Sequence, residues 1–182
     1  MSQFATITGL RKTFLEHGEI HIDGDVDEAM AEYVHECFLH LRAAGSPDVK
    51  IFIRSNGGEV PCGFHIYDEI RHYAGNTRGI VNGFAYSMAA LVLQGCVERL
   101  AYPHATFLVH IVRLSGDITE DQLTKKGADM LRRELRATTL QAHKILEVHT
   151  GLTSLEIKNL MALNKVLTAK EAHKVGLFDD FC

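Results

Sequence analysis

A chain of 182 residues with 46% hydrophobic composition can fill one core and is short for two. Its 19 basic and 23 acidic residues, net charge −4, are spread without any Lys/Arg run, which argues against nucleic acid or an anionic membrane as the main partner. No stretch approaches the roughly 18–20 apolar residues of a membrane span, and the segment Met1 to Gly18 lacks a signal-type apolar run. Cys37, Cys62, Cys96 and Cys182 form no C-x-x-C pair and read as reduced, mostly buried thiols of a cytoplasmic protein.

In chain order, Glu19–Ile22 reads as a strand, and Asp27–Ala44 as a helix with Met30, Val34, Cys37, Phe38 and Leu41 at helical spacing before a stop at Gly45. Val49–Arg54 alternates Val49, Ile51 and Ile53 with Lys50, Phe52 and Arg54, as a strand ending at Gly57-Gly58 does. Pro61 opens a helix to about Tyr73. A strand is expected at Arg78–Val81, a turn at Asn82-Gly83, and a small-residue segment at Ala85–Gly95. Ala105–His110 is nearly all apolar, as in a strand buried on both faces. This alternation predicts one α/β domain over 1–182 with mostly parallel strands.

From Asp117 to His149 the spacing predicts one long helix. Asp117-x-x-Glu120 and Thr119-x-x-Gln122 both offer capping boxes, Leu123, Met130, Leu131, Leu135, Ile145 and Leu146 keep helical spacing, and Gly151 ends the run. Gly127 inside it would cost about 1 kcal/mol. A helix of about thirty residues reaches ~45 Å, more than a domain this size can cover, so its far end needs another surface. Two shorter helices follow, capped by Thr153-x-x-Glu156 and Thr168-x-x-Glu171, the last stopped by Gly176.

Three segments can carry chemistry. Ser55-Asn56-Gly57-Gly58 sits where a strand turns into a helix, and adjacent glycines let backbone N–H groups face a substrate; a plain turn is the simpler alternative. Ser87 enters an apolar helix between small residues, as a nucleophile or as an N-cap, with alanines at both glycine positions of the G-x-S-x-G elbow. His110 ends an apolar strand, where an imidazole is fixed at a cleft edge or buried as a satisfied core histidine. The other histidines show no H-E-x-x-H or similar spacing, so neither metal nor other cofactor is expected.

Together these segments resemble the Clp protease proteolytic subunit (ClpP) family. Gly57-Gly58 is similar to its S-P-G-G segment with Asn56 for proline, Tyr86-Ser87-Met88-Ala89-Ala90 to its A-S-M-G-A segment, and Phe107-Leu108-Val109-His110 to its catalytic-histidine strand. Ile145–Gly151, Leu167–Ala172 and Val175–Asp179 match further family segments in order. The resemblance covers nearly the whole chain from about Glu19. It implies a ClpP/crotonase-like fold, Ser87 as nucleophile, His110 as general base, and the Gly58 and Met88 N–H groups as oxyanion hole. It also implies peptide or unfolded-protein substrates, an AAA+ unfoldase partner, and a handle, the long Asp117–His149 helix, that interlocks two heptameric rings into a tetradecamer.

The chain departs from the family pattern at three places. Asn164 stands where the family's triad aspartate is expected. Ile111-Val112-Arg113-Leu114 replaces a Gln-Pro and glycine-rich strand that would line the substrate channel. The segment before Glu19 is shorter than usual, which bears on the axial loops that dock an unfoldase. These departures leave two alternatives: a catalytically weak or inactive ring subunit with an assembly or regulatory role, and an acyl-CoA enzyme of the crotonase type, for which Ser87 and His110 would be superfluous.

Overall fold

The computed structural model describes residues 9–113 and 119–182. After helix α1 (Gly9–Glu16), strands β1 (Glu19–Asp23), β2 (Val49–Ser55), β3 (Thr77–Tyr86), β4 (Glu98–Ala101) and β7 (Asp180–Phe181) lie side by side in that order, all parallel. Strand β5 (Thr106–Leu108) branches from the C-terminal half of β3, and β6 (Leu167–Thr168) pairs with it antiparallel. Helices α2 (Glu28–Ala43), α3 (Val60–Arg71) and α4 (Met88–Leu93) are the crossovers between parallel strands, the α/β arrangement that the alternation predicts. On β2 the alternation is realised: Ile51 and Ile53 are fully buried, while Lys50 and Arg54 are exposed. Among the described residues, no helix is long and apolar enough to cross a membrane.

Asn82-Gly83 is not a turn, because β3 runs on to Tyr86. Ile53 pairs with Val81 and Ser55 with Ala85, so Arg54 alone stands opposite Asn82, Gly83 and Phe84. This bulge falls where β3 changes partners, since Arg78–Val81 pair with β4 and Phe84–Tyr86 with β5. The Asn-Gly signal marks a kink in a long strand instead of its end.

The single long helix is also corrected. Thr119 caps α5 (Glu120–Leu123) through a complete capping box, and Thr124, extended at φ −65°, ψ 155°, then caps α6 (Lys125–Thr150). The competing Asp117 box lies outside the described residues. Gly127 is therefore in the first turn of α6, donating its N–H to Thr124 Oγ1 at 3.0 Å. A side chain there would run into the backbone of Asp121 and Gln122, so glycine permits the corner. The 26 residues of α6 span about 39 Å. Helices α7 (Ser154–Leu163) and α8 (Ala169–Lys174) start at the predicted Thr153 and Thr168 boxes.

The C-terminal residues are tied in by a buried arginine. Arg99 forms an ion pair with Asp179 through Nη2, adds an Nε bond to the same carboxylate at 3.1 Å, and donates from Nη1 to Gln94 Oε1 at 2.6 Å and the His149 carbonyl at 3.1 Å. Burial alone would raise the Asp179 carboxyl, but the hydrogen bonds and charge of Arg99 outweigh it and hold the group below its usual value. A carboxyl depressed in the folded state contributes stability above its unfolded pKa and loses it as pH falls through the folded value. Asp179→Ala should cost about 2–3 kcal/mol in denaturant unfolding at neutral pH, below the full buried-pair penalty because the carboxylate is partly exposed. The deficit should shrink below about pH 4, where the wild type begins to lose the same interaction.

Candidate active site

At the end of β3 the chain makes a sharp turn into α4, and Ser87 is the turn residue, at φ 53°, ψ −122°. A non-glycine residue there costs on the order of 1–3 kcal/mol and persists only where its surroundings enforce it. Here Tyr86 pairs with Leu108 on β5, and the Ser87 N–H donates to the Leu108 carbonyl at 2.7 Å. Ser87 makes no capping hydrogen bond, so its hydroxyl is not consumed as an N-cap would consume it. The geometry is that of a nucleophile elbow although Ala85 and Ala89 replace its glycines; both methyl groups are fully buried.

The loop after β2 is pressed against this turn. Ser55 Oγ accepts from the Gly57 N–H at 3.0 Å. A methyl group on Gly57, whose φ is 88°, would lie 2.6 Å from the Tyr86 carbonyl oxygen and 2.8 Å from both the Met88 nitrogen and Ser87 Cβ. Only glycine allows that approach. On its outer side the loop pairs with Val26, whose N–H donates to the Gly57 carbonyl at 2.9 Å and whose carbonyl accepts from the Glu59 N–H at 2.7 Å. In such a parallel bridge the N–H of the intervening Gly58 points away from Val26. Met88 is the first residue of α4, so its N–H has no intrahelical acceptor.

These groups meet in one cleft of about 240 Å³, lined by Gly58, Ser87, Met88 and His110 among others. Leu91 from α4, Ala142 and Leu146 from α6, and Met161 from α7 supply an apolar wall, which was missed because those spacings read simply as core. Arg113 also lines it, and no carboxylate is among the described lining residues. His110 follows β5 and is half-buried; its Nδ1 lies 2.6 Å from the Ile111 carbonyl oxygen. If that bond is donated by Nδ1–H of a neutral imidazole, Nε2 is left as the acceptor. Among the described contacts no hydrogen bond joins Ser87 and His110.

Asn164 is the C-cap of α7, left-handed at φ 47°, exposed, and not among the residues lining the cleft. The described contacts give it no bond to His110. The Glu171 carboxylate is committed elsewhere: it takes Lys165 Nζ at 2.7 Å and closes the Thr168 capping box, and these bonds, the Lys165 one foremost, pull it down to about 2. Cys62, in the first turn of α3, is raised by burial and by the neighbouring Glu59, so it remains a thiol at neutral pH and does not rival Ser87 as nucleophile.

Residues 3–182 match the family model described as Clp protease, and the chain belongs to the Clp protease family, whose members are serine peptidases acting on peptides within oligomeric rings.

Proposed function

We propose that the chain hydrolyses peptide bonds through Ser87 and His110 inside a ring chamber. The observation that carries this is the uncapped Ser87 hydroxyl, held at positive φ in the cleft that Gly58 and Met88 also line. Ser87 Oγ attacks the peptide carbonyl while His110 Nε2 takes its proton and later returns it to the leaving amine; water then releases the acyl group by the same path. The Gly58 and Met88 N–H groups donate hydrogen bonds to the developing oxyanion, an effect of about 3–4 kcal/mol per donor removed. The wall of Leu91, Leu146 and Met161 suits an apolar substrate side chain.

The third position is proposed for Asn164. Met161, one turn earlier on α7, lines the cleft, which supports this reading although Asn164 itself does not line it. An asparagine oxygen, like the Ile111 carbonyl, can hold the imidazole tautomer but carries no charge to stabilise the imidazolium. Turnover should therefore be low. Among the described residues the cleft lining holds no carboxylate and no bond joins Ser87 and His110, which favours, as a second reading, a weak or idle subunit kept for assembly. Rings of two stacked heptamers, docking of an AAA+ unfoldase and residence in the cytoplasm complete the proposal. The first is supported by exposed Met130, Leu140, Val148, Leu155 and Leu163 on α6 and α7, from 54% to 75% accessible.

A serine-directed fluorophosphonate should label Ser87 alone, and Ser87→Ala should abolish labelling while leaving the assembly intact; peptidase activity surviving in that variant would remove Ser87 from the mechanism. Native mass spectrometry should give a multi-subunit ring, and a stable dilute monomer would contradict the chamber. Asn164→Asp should raise kcat on a small fluorogenic peptide by ~10–1000-fold with KM nearly unchanged, since an aspartate-to-asparagine change in the serine-protease template costs about 10⁴. The same change combined with His110→Ala should bring no gain. An unchanged rate in an intact ring would leave the His110 Nδ1 to the Ile111 carbonyl alone.

A further inference from the structure

On the helical face that α2 and α3 share, three donor side chains converge. His35 comes from α2; His65 and Glu69, four residues apart, lie on one face of α3. One ligand atom from each lies within 4.8 Å of the other two. His35 Nδ1 is 2.6 Å and His65 Nε2 3.6 Å from Glu69 Oε1. We infer that His35, His65 and Glu69 form a binding site for a divalent transition-metal ion of the zinc class.

Four-coordinate zinc, with bonds of about 2.0–2.2 Å, needs donor atoms roughly 3.3 Å apart, and the two observed spacings bracket that value. Closing the set requires only a small swing of His65, whose side chain is 51% exposed, and exchange of the His35–Glu69 hydrogen bond for two metal bonds. The exposed side leaves a fourth position for water. Glu69 is the fixed member, with its side chain only 12% exposed. Arg42 donates to its other oxygen, Oε2, at 2.6 Å, which aims Oε1 at the imidazoles, as outer-shell partners of metal ligands do. Burial alone would raise the Glu69 carboxyl, yet hydrogen bonds from His35 and Arg42 prevail and keep it ionised at neutral pH. Hydrogen bonding accounts for His35 and Arg42 but leaves His65 without a bond among the described contacts. Two imidazoles and one carboxylate match zinc, cobalt or nickel; magnesium and calcium want oxygen throughout. The Arg42 charge beside the carboxylate weakens the site without blocking it.

The position gives the ion a structural task. Helix α2 begins just after Val26 and α3 just after Gly58, the two residues bridged beside the cleft. An ion joining the helices one to two turns further on clamps both flanks of the Gly58 loop. It takes no part in the chemistry at Ser87.

Chelator-stripped full-length protein should take up one Zn²⁺ per chain in isothermal titration, and its Tm should rise progressively with Zn²⁺ but not with equal Mg²⁺. Co²⁺ should give the intense visible absorption of a four-coordinate site. His65→Ala and His35→Ala should each weaken Zn²⁺ binding at least about tenfold, while His104→Ala, a change at an exposed histidine outside the cluster, should not. No Zn²⁺ uptake by the wild type would overturn the proposal. So would equal affinity in the folded His65→Ala protein, which would assign binding to other histidines.

Discussion

Gly57 and the Tyr86–Met88 turn meet with no room for a methyl group between them, and the site depends on that contact. Two adjacent parallel strands end at the same level, one in a glycine pair and the other in a serine forced to positive φ. The sheet brings them to that level through the bulge opposite Arg54, which takes up extra residues of β3 so that Ser55 pairs with Ala85. Without it the serine turn would fall out of register with the glycine loop. Val26 pins the loop from outside, and Leu108 of β5 pins the strained turn by accepting the Ser87 N–H.

Residues that act through periodicity or capping were legible in the sequence. The alternation of β2, the apolar face of α2 and the Thr119, Thr153 and Thr168 boxes each specify structure within a few residues, so the local signal and the fold agree. What was not legible depends on partners distant in the chain. Asn82-Gly83 has the chemistry of a tight turn, but pairing of β3 to three neighbours overrides it. The break at Thr124 was hidden because the apolar spacing continues across it, and only the fit of Gly127 against Asp121 marks the corner. Ser87, Gly58, Met88 and His110 were singled out from sequence, and they line one cleft. Its apolar wall from α4, α6 and α7 was not foreseen, since a residue facing a cleft and one facing the core keep the same helical spacing. The His35–His65–Glu69 cluster spans two helices and left no motif.

The histidine is where this chain differs physically from a charge-assisted triad. Its Nδ1 meets a neutral carbonyl from the next residue, and no carboxylate is among the described residues that line the cleft. Arg113 also lines the same cleft. Under the proposed mechanism, positioning and oxyanion stabilisation would supply most of the rate, with proton transfer the weak step. Attack by Ser87 should remain possible, but slow.

Accumulation of an acyl-enzyme tests this directly, because it isolates attack by the serine from everything that follows. The chain would be mixed with an activated ester of an acylated phenylalanine, quenched in acid, and read by intact-mass and peptide-mapping spectrometry. One acyl group per chain on Ser87, decaying slowly in water and absent from Ser87→Ala, is the result predicted by the proposed Ser87 nucleophile in a cleft whose histidine Nδ1 meets a neutral carbonyl. An unmodified chain, or acylation at Cys62 or a lysine with Ser87 untouched, would contradict it.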